Sequence, residues 1–134
     1  MSVIEITTHA SAELVDITPD VQQIVSATGI ADGICHLWCH HTTAGLTVNE
    51  RADPDVKRDL LMALERIVPS SWPYRHAEGN SPAHVKSSLL GCQLSIPVGN
   101  GSLTLGTWQS VLFAEFDGPR VHRKVTVTVI PTRG

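Results

Sequence analysis

The stretch Val121-His122-Arg123-Lys124-Val125-Thr126-Val127-Thr128-Val129-Ile130 sets Val125, Val127 and Val129 in strict alternation with Thr126 and Thr128. A period of two with β-branched residues on both faces is the pattern of a strand. Working back from it, Thr107 to Phe116 reads as a strand. So does Cys92 to Val98, which turns at Gly99-Asn100-Gly101, a hairpin signal. The chain therefore finishes in an antiparallel run. Earlier strands are expected over Val3 to Thr8, Ala12 to Ile17 and Gly33 to His41, and one more begins within Gly45 to Val48.

Three helix starts interrupt these strands: Thr18-Pro19-Asp20, Asp53-Pro54-Asp55 and Ser81-Pro82-Ala83. Each combines a capping side chain with proline at the first turn. The first helix should stop before Gly29. The second carries Val56, Leu60, Leu61, Leu64, Ile67 and Val68 on one face and ends at Pro69. The third should close at Gly91, and residues 69–80 are a loop. Strands, three helices and a final antiparallel run predict an α+β fold, as a single domain spanning residues 1–134.

Composition narrows the function classes. In 134 residues, hydrophobic side chains make up 42% and charged ones 17%, which suits a globular protein and mildly favours an oligomer over a monomer. The net charge is −3, only 10 Lys and Arg are present and no basic run occurs, so nucleic-acid binding is not expected. No stretch is apolar for long enough to cross a membrane, and Met1 to Ala10 lacks the pattern of a signal peptide. Cys35 and Cys39 lie about 13 Å apart along one strand, beyond the reach of a disulfide. With Cys92 they read as buried thiols of a reducing, cytoplasmic compartment.

Three segments hold more polar groups than a core requires: His40-His41-Thr42-Thr43, Asn49-Glu50, and His76 to His84. In the last, Gly79-Asn80-Ser81-Pro82 delivers the chain into a helix start, where free N–H groups attract an anion. His84 is expected at the third helical position, with His76 folding back towards it. The spacing matches no compact zinc motif, so capping and loop packing compete with ligation. His9, His36, His40 and His122 read as surface or packing residues. Glu50 is either a general base or ligand, or an exposed acid. Arg120 either binds an anion or closes a turn with Asp117. No nucleophile elbow, phosphate loop or dinucleotide fingerprint is present, and nothing ties a cysteine to a particular histidine.

Taken together, His41-Thr42-Thr43-Ala44, Asn49-Glu50, Ala52-Asp53-Pro54-Asp55, His76-x-Glu78-Gly79-Asn80, Ala83-His84, Leu105-Gly106-Thr107-Trp108-Gln109 and Glu115-Phe116-Asp117-Gly118-Pro119-Arg120 resemble the YjbQ family. The resemblance implies a compact antiparallel β-sandwich-like core with about three helices, assembled as a homotrimer. It also implies one shared site, with His41, His76 and His84 as ligands of a divalent metal, zinc or magnesium. Asn49, Glu50, Asp53, Glu78, Asn80 and Arg120 would be its catalytic groups, and Ser81, Trp108 and Gln109 would contact a small phosphorylated metabolite. Family members carry the label secondary thiamine-phosphate synthase. That implies condensation of a pyrimidine pyrophosphate with a thiazole phosphate, with Glu50, Glu78 and Asp53 holding metal. A metal-dependent hydrolase or lyase, or a non-catalytic trimeric metal- or metabolite-binding protein, are the alternatives. One departure stands out: His122 occupies the place of a second arginine in the family, and Arg123 follows it. That puts a secondary basic contact in question.

Overall fold

A computed structural model describes residues 1–133. Eleven elements follow in order: β1 (Ser2–Ile6), β2 (Glu13–Asp16), α1 (Thr18–Thr28), β3 (Gly33–Cys39), β4 (Ala44–Glu50), α2 (Pro54–Ile67), α3 (Ser81–Leu90), β5 (Gln93–Gly99), β6 (Ser102–Leu103), β7 (Gln109–Glu115) and β8 (Arg123–Pro131). The strands form two sheets, ordered β1-β8-β3-β5-β6 and β2-β7-β4, and every pairing is antiparallel. The fold is α+β, with a sandwich-like core of two curled antiparallel sheets and three helices.

Alternation builds that core. Cys35, Leu37 and Cys39 of β3, Val125 and Val127 of β8, and Ile96 and Val98 of β5 face inward from the larger sheet. They meet Ala44 and Leu46 of β4 and Val111 and Phe113 of β7, while Val21 and Val25 of α1 close one end. On the far side of the smaller sheet, α2 and α3 cover Leu14, Leu112, Ala114 and Phe116 with Leu60, Leu61, Leu64, Ala83 and Leu90. Among the described residues, no helix covers the outer face of the larger sheet. Val3, Ile34, Trp38 and Ile130 are exposed there.

The three helix starts differ in their chemistry. Asp53 caps α2 as expected, its carboxylate accepting from the Asp55 N–H at 2.9 Å. Thr18 and Ser81 are instead the first helical residues, after Ile17 and Asn80. The Thr18 hydroxyl is drawn off to accept from the Val111 N–H at 2.8 Å. On α2 the expected apolar face is half-buried except at its end, where Val68 is buried and Ile67 is 58% exposed. The brief β6 was not foreseen. It is a two-residue return after the Asn100-Gly101 turn, too short for periodicity to register.

Candidate functional site

The strand pair β4–β7 decides where the candidate residues lie. Its register runs from Ala44 opposite Glu115 to Glu50 opposite Gln109. Six residue steps at about 3.4 Å place those two ends about 20 Å apart. His41 precedes the Ala44 end and Arg120 follows the Glu115 end. Asn80, Ser81 and His84 join them there through α3, and His76 and Glu78 through the loop before it. Asn49, Glu50, Asp53, Trp108 and Gln109 gather at the opposite end. One chain thus holds two polar clusters where the sequence suggested a single one.

Contacts with β4 and with the turn after β7 hold α3 in place. The Ser87 hydroxyl donates to the Ala44 carbonyl at 2.6 Å. The approach is close enough that a Cβ on Gly45 would stand 2.8 Å from the Gly91 carbonyl oxygen, so only glycine fits. At the other end of the helix the Asn80 side-chain amide donates to Asp117 at 3.0 Å. Its remaining atom, Oδ1, is buried with no hydrogen-bond donor. Arg120 closes on the same aspartate, with Nη2 at 3.1 Å from Oδ2 and Nε donating to the backbone carbonyl at 2.9 Å. Of its two readings, the turn ion pair is the one formed here.

His84 is the fourth residue of α3, one position deeper than expected. It meets His76 edge to face, with ring centroids 5.4 Å apart, and His76 Nε2 lies 3.9 Å from a Glu78 carboxylate oxygen. His84 and His41 line one hollow of about 510 Å³ together with Thr42, Ser87, Ser88, Gly91 and Cys92. His41 is already engaged. Its Nε2 accepts the Lys124 backbone N–H at 2.7 Å, which puts the proton of the neutral ring on Nδ1. Burial first, and then the charge of Arg123, push its pKa below the usual histidine range. Among the described residues no three His, Cys, Asp or Glu side chains converge as a metal group.

At the opposite end the candidate residues hold turns. Asn49 accepts from the Glu50 N–H, Asp53 caps α2, and Gln109 Oε1 accepts from the Gly106 N–H at 2.8 Å. Trp108 is 62% exposed. A second hollow, of about 660 Å³, lies beside them between Asp16, Thr18, Arg51, Gly106 and Ser110.

A buried polar network that no sequence motif announced lies beneath the first cluster. Glu115 is 0% exposed and Arg123 6%. The carboxylate accepts from Arg123 through both Nε and Nη2, from the Thr8 hydroxyl at 2.7 Å and from the Asp117 N–H at 3.1 Å. Arg123 Nη2 also donates to the Thr43 hydroxyl at 2.9 Å. Burial alone would raise the Glu115 carboxyl, yet the hydrogen bonds from Arg123, Thr8 and Asp117 hold it below the usual range. Strand parity was the available signal. Arg123 shares a face with Val125 and Val127, and Glu115 with Val111 and Phe113, so both charges had to point inward. His122 is exposed, and the cation buried here is Arg123.

Two antiparallel sheets backed by α2 and α3, with a histidine pair on α3 and its preceding loop, define a YjbQ-like protein. The family model described as "UPF0047 protein YjbQ-like" matches residues 2–132. The chain belongs to that family. It is 48% identical over 126 residues to the UPF0047 protein MJ1081 of Methanocaldococcus jannaschii, covering 94% of this chain and 91% of that protein. It is 46% identical to the UPF0047 protein YugU of Bacillus subtilis, over 91% of this chain and 93% of that one. A crystal structure of a YjbQ/UPF0047 family protein from Clostridium acetobutylicum superimposes with a TM-score of 0.94 at 47% identity, covering 97% of this chain and all of that one. A protein from Sulfolobus solfataricus does so at 0.93 and 36% identity, over 97% and 95% of the two chains, and is described as YbjQ-like and of unknown function.

These relatives correct the enzymatic expectation. They are named as UPF0047 proteins, without an activity, or as of unknown function, so neither thiamine-phosphate synthesis nor another catalytic role carries over from them. The geometry agrees. That condensation needs several metal carboxylates beside phosphate donors, whereas Glu50 and Asp53 lie at the opposite end of the β4–β7 pair from Arg120, leaving only Glu78 of the three candidate acids at its end.

Proposed function

We propose that this chain binds a divalent transition-metal ion between His76 and His84, and that a small phosphorylated metabolite in the adjoining hollow completes the metal's coordination. The spacing of the two imidazoles carries the reading. A ring bonded to zinc at about 2.1 Å has its centroid about 3.2 Å from the metal, so two rings at a tetrahedral angle stand about 5.2 Å apart. His76 and His84 stand at 5.4 Å. Two protein ligands leave coordination positions open to a bound molecule, and Thr42 and Ser88 offer hydroxyls on the wall of the hollow. Imidazole suits zinc, whereas magnesium prefers several oxygen ligands, and of the three candidate acids only Glu78 lies at this end, 3.9 Å from His76 Nε2. The reading is of binding, with no chemical step.

Elemental analysis and zinc titration by calorimetry test it. Wild type should take up one zinc per chain, His84→Ala none, and His41→Ala one, because the His41 Nε2 serves the Lys124 N–H. Zinc-free wild type that gives no heat on titration refutes the reading.

Two further properties belong to the same proposal. The chain assembles as a homotrimer through the outer face of the larger sheet. The exposed Val3, Ile34, Trp38 and Ile130 on an uncovered face support this. The setting is the cytoplasm, supported by three free cysteines. No helix among the described residues is long and apolar enough to cross a membrane.

A further inference from the structure

We infer that Cys39 and Cys92 are a reversible cross-strand disulfide site in the wall of the histidine-lined hollow. Cys35 and Cys39 are kept apart by lying along one strand, whereas Cys92 comes from the stretch of chain beside it. The register of β3 on β5 pairs Trp38 with Gln93, so the next pair out is Cys39 with Cys92. The Cys39 N–H donates to the Cys92 carbonyl at 2.7 Å, which continues the ladder by one step. Directly opposed residues in such a ladder have Cα atoms about 5.5 Å apart, inside the disulfide window of about 4.4 to 6.8 Å.

Both side chains leave the same face of the sheet, as opposed residues must. Both belong to the same apolar cluster, and both thiols are free. Their access differs. Cys39 is 2% exposed, while Cys92 is half-buried and lines the hollow with His41 and His84. Opposed Cβ atoms at up to about 5.5 Å must close to about 3.8 Å in a disulfide. The pair sits where the ladder ends, Cys39 as the last residue of β3 and Cys92 just before β5, so closing the gap disturbs no further strand pair. A bridge that draws two strand ends together stores strain and is readily reduced, which marks it as reversible rather than structural.

The chemistry needs an external low-molecular-weight disulfide, such as oxidised glutathione. The Cys92 thiolate attacks one of its sulfurs, the small S–S bond breaks, and one thiolate departs to take a proton from water. The Cys39 thiol then gives its proton to solvent, attacks Cys92 Sγ in the mixed disulfide, and expels the second small thiolate. Two protein thiols and one small disulfide become one protein disulfide and two small thiols. Cys35 is the internal control. It lies opposite Ile96 with no thiol facing it among the described residues; burial raises its pKa as it does that of Cys39, so the facing partner is what distinguishes them.

Closure pulls Cys92 Sγ away from the hollow towards the core and so reshapes the wall beside His84. The inference stands whether or not a metal binds. The test treats the purified, reduced chain with oxidised glutathione and follows it by intact mass spectrometry, peptide mapping and the imidazole NMR signals. Wild type is expected to lose two hydrogens, to give a linked Cys39–Cys92 peptide with Cys35 free, and to shift the His84 signals. Excess reductant should reverse all three. Cys39→Val is expected to stop at one glutathione on Cys92, and Cys92→Ser to stay unmodified, so a fold defect in one variant leaves the other as a check. Wild type that stays reduced, keeps glutathione on Cys92, or links Cys92 between two chains overturns the inference.

Discussion

Replacing Arg123 by methionine removes the one cation from a carboxylate that solvent does not reach. Glu115 is 0% exposed and accepts four hydrogen bonds, two of them from Arg123. The variant keeps the Thr8 hydroxyl and the Asp117 N–H but loses the compensating charge. Removing one partner of a buried ion pair costs about 3–5 kcal/mol, because the survivor must stay charged without a partner or take up a proton. The outer hydrogen bonds from Thr8 and Asp117 place the expected loss near the lower end, about 3 kcal/mol. Urea denaturation at fixed protein concentration measures it, provided the slope with denaturant is unchanged. The double variant Glu115→Leu/Arg123→Met should lose less than the sum of the two single losses. The pH dependence has a definite sign. The folded carboxyl lies below its unfolded value of about 4.3, so the stability it contributes is present above that pH and is lost as pH falls through the folded value. In Arg123→Met the carboxyl rises, so the gap between variant and wild type should narrow on acidification. An Arg123→Met loss below about 1 kcal/mol, or single losses that simply add, would refute the reasoning.

Two more predictions follow from particular contacts. His41 is held neutral in the fold, so its contribution to stability is present above the unfolded histidine value of about 6.5 and is lost as pH falls through the lower folded value. His41→Gln, whose amide oxygen can still accept the Lys124 N–H, should flatten the stability profile below about pH 6.5; an unchanged profile from thermal melts across that range removes His41 as its cause. If the chain assembles as proposed, Trp38→Glu, on the outer sheet face, should convert the proposed trimer to monomers in sedimentation velocity with the circular dichroism spectrum intact. A variant that sediments like wild type, or a wild type that is already monomeric, excludes that face as the interface.

The local elements were legible because each rests on short-range rules. Asp53 followed by Pro54 announced α2, the Val125-Thr126-Val127 alternation announced β8, and Gly99-Asn100-Gly101 announced the hairpin. All three stand in the structure at nearly the expected bounds. The inward parity of Arg123 and Glu115 was equally present in the sequence. It is easily passed over, because a charge at a core position has meaning only once its partner is known. The grouping of the candidate residues had no such local rule behind it. Motifs that sit close together in a pattern are parted by the length of β4, which carries Ala44 to one end of the sheet and Glu50 to the other.

The sequence by itself determined the α+β class, the three helix starts and which strand residues face the core, since capping, periodicity and turn chemistry act over a few residues. Only the tertiary structure decided that His76 meets His84, that His41 gives its Nε2 to the Lys124 backbone, and that Cys39 stands opposite Cys92. Those pairings depend on sheet register and on the seating of α3 against Gly45. Both are set by the summed burial of the two sheet faces rather than by any short stretch of chain.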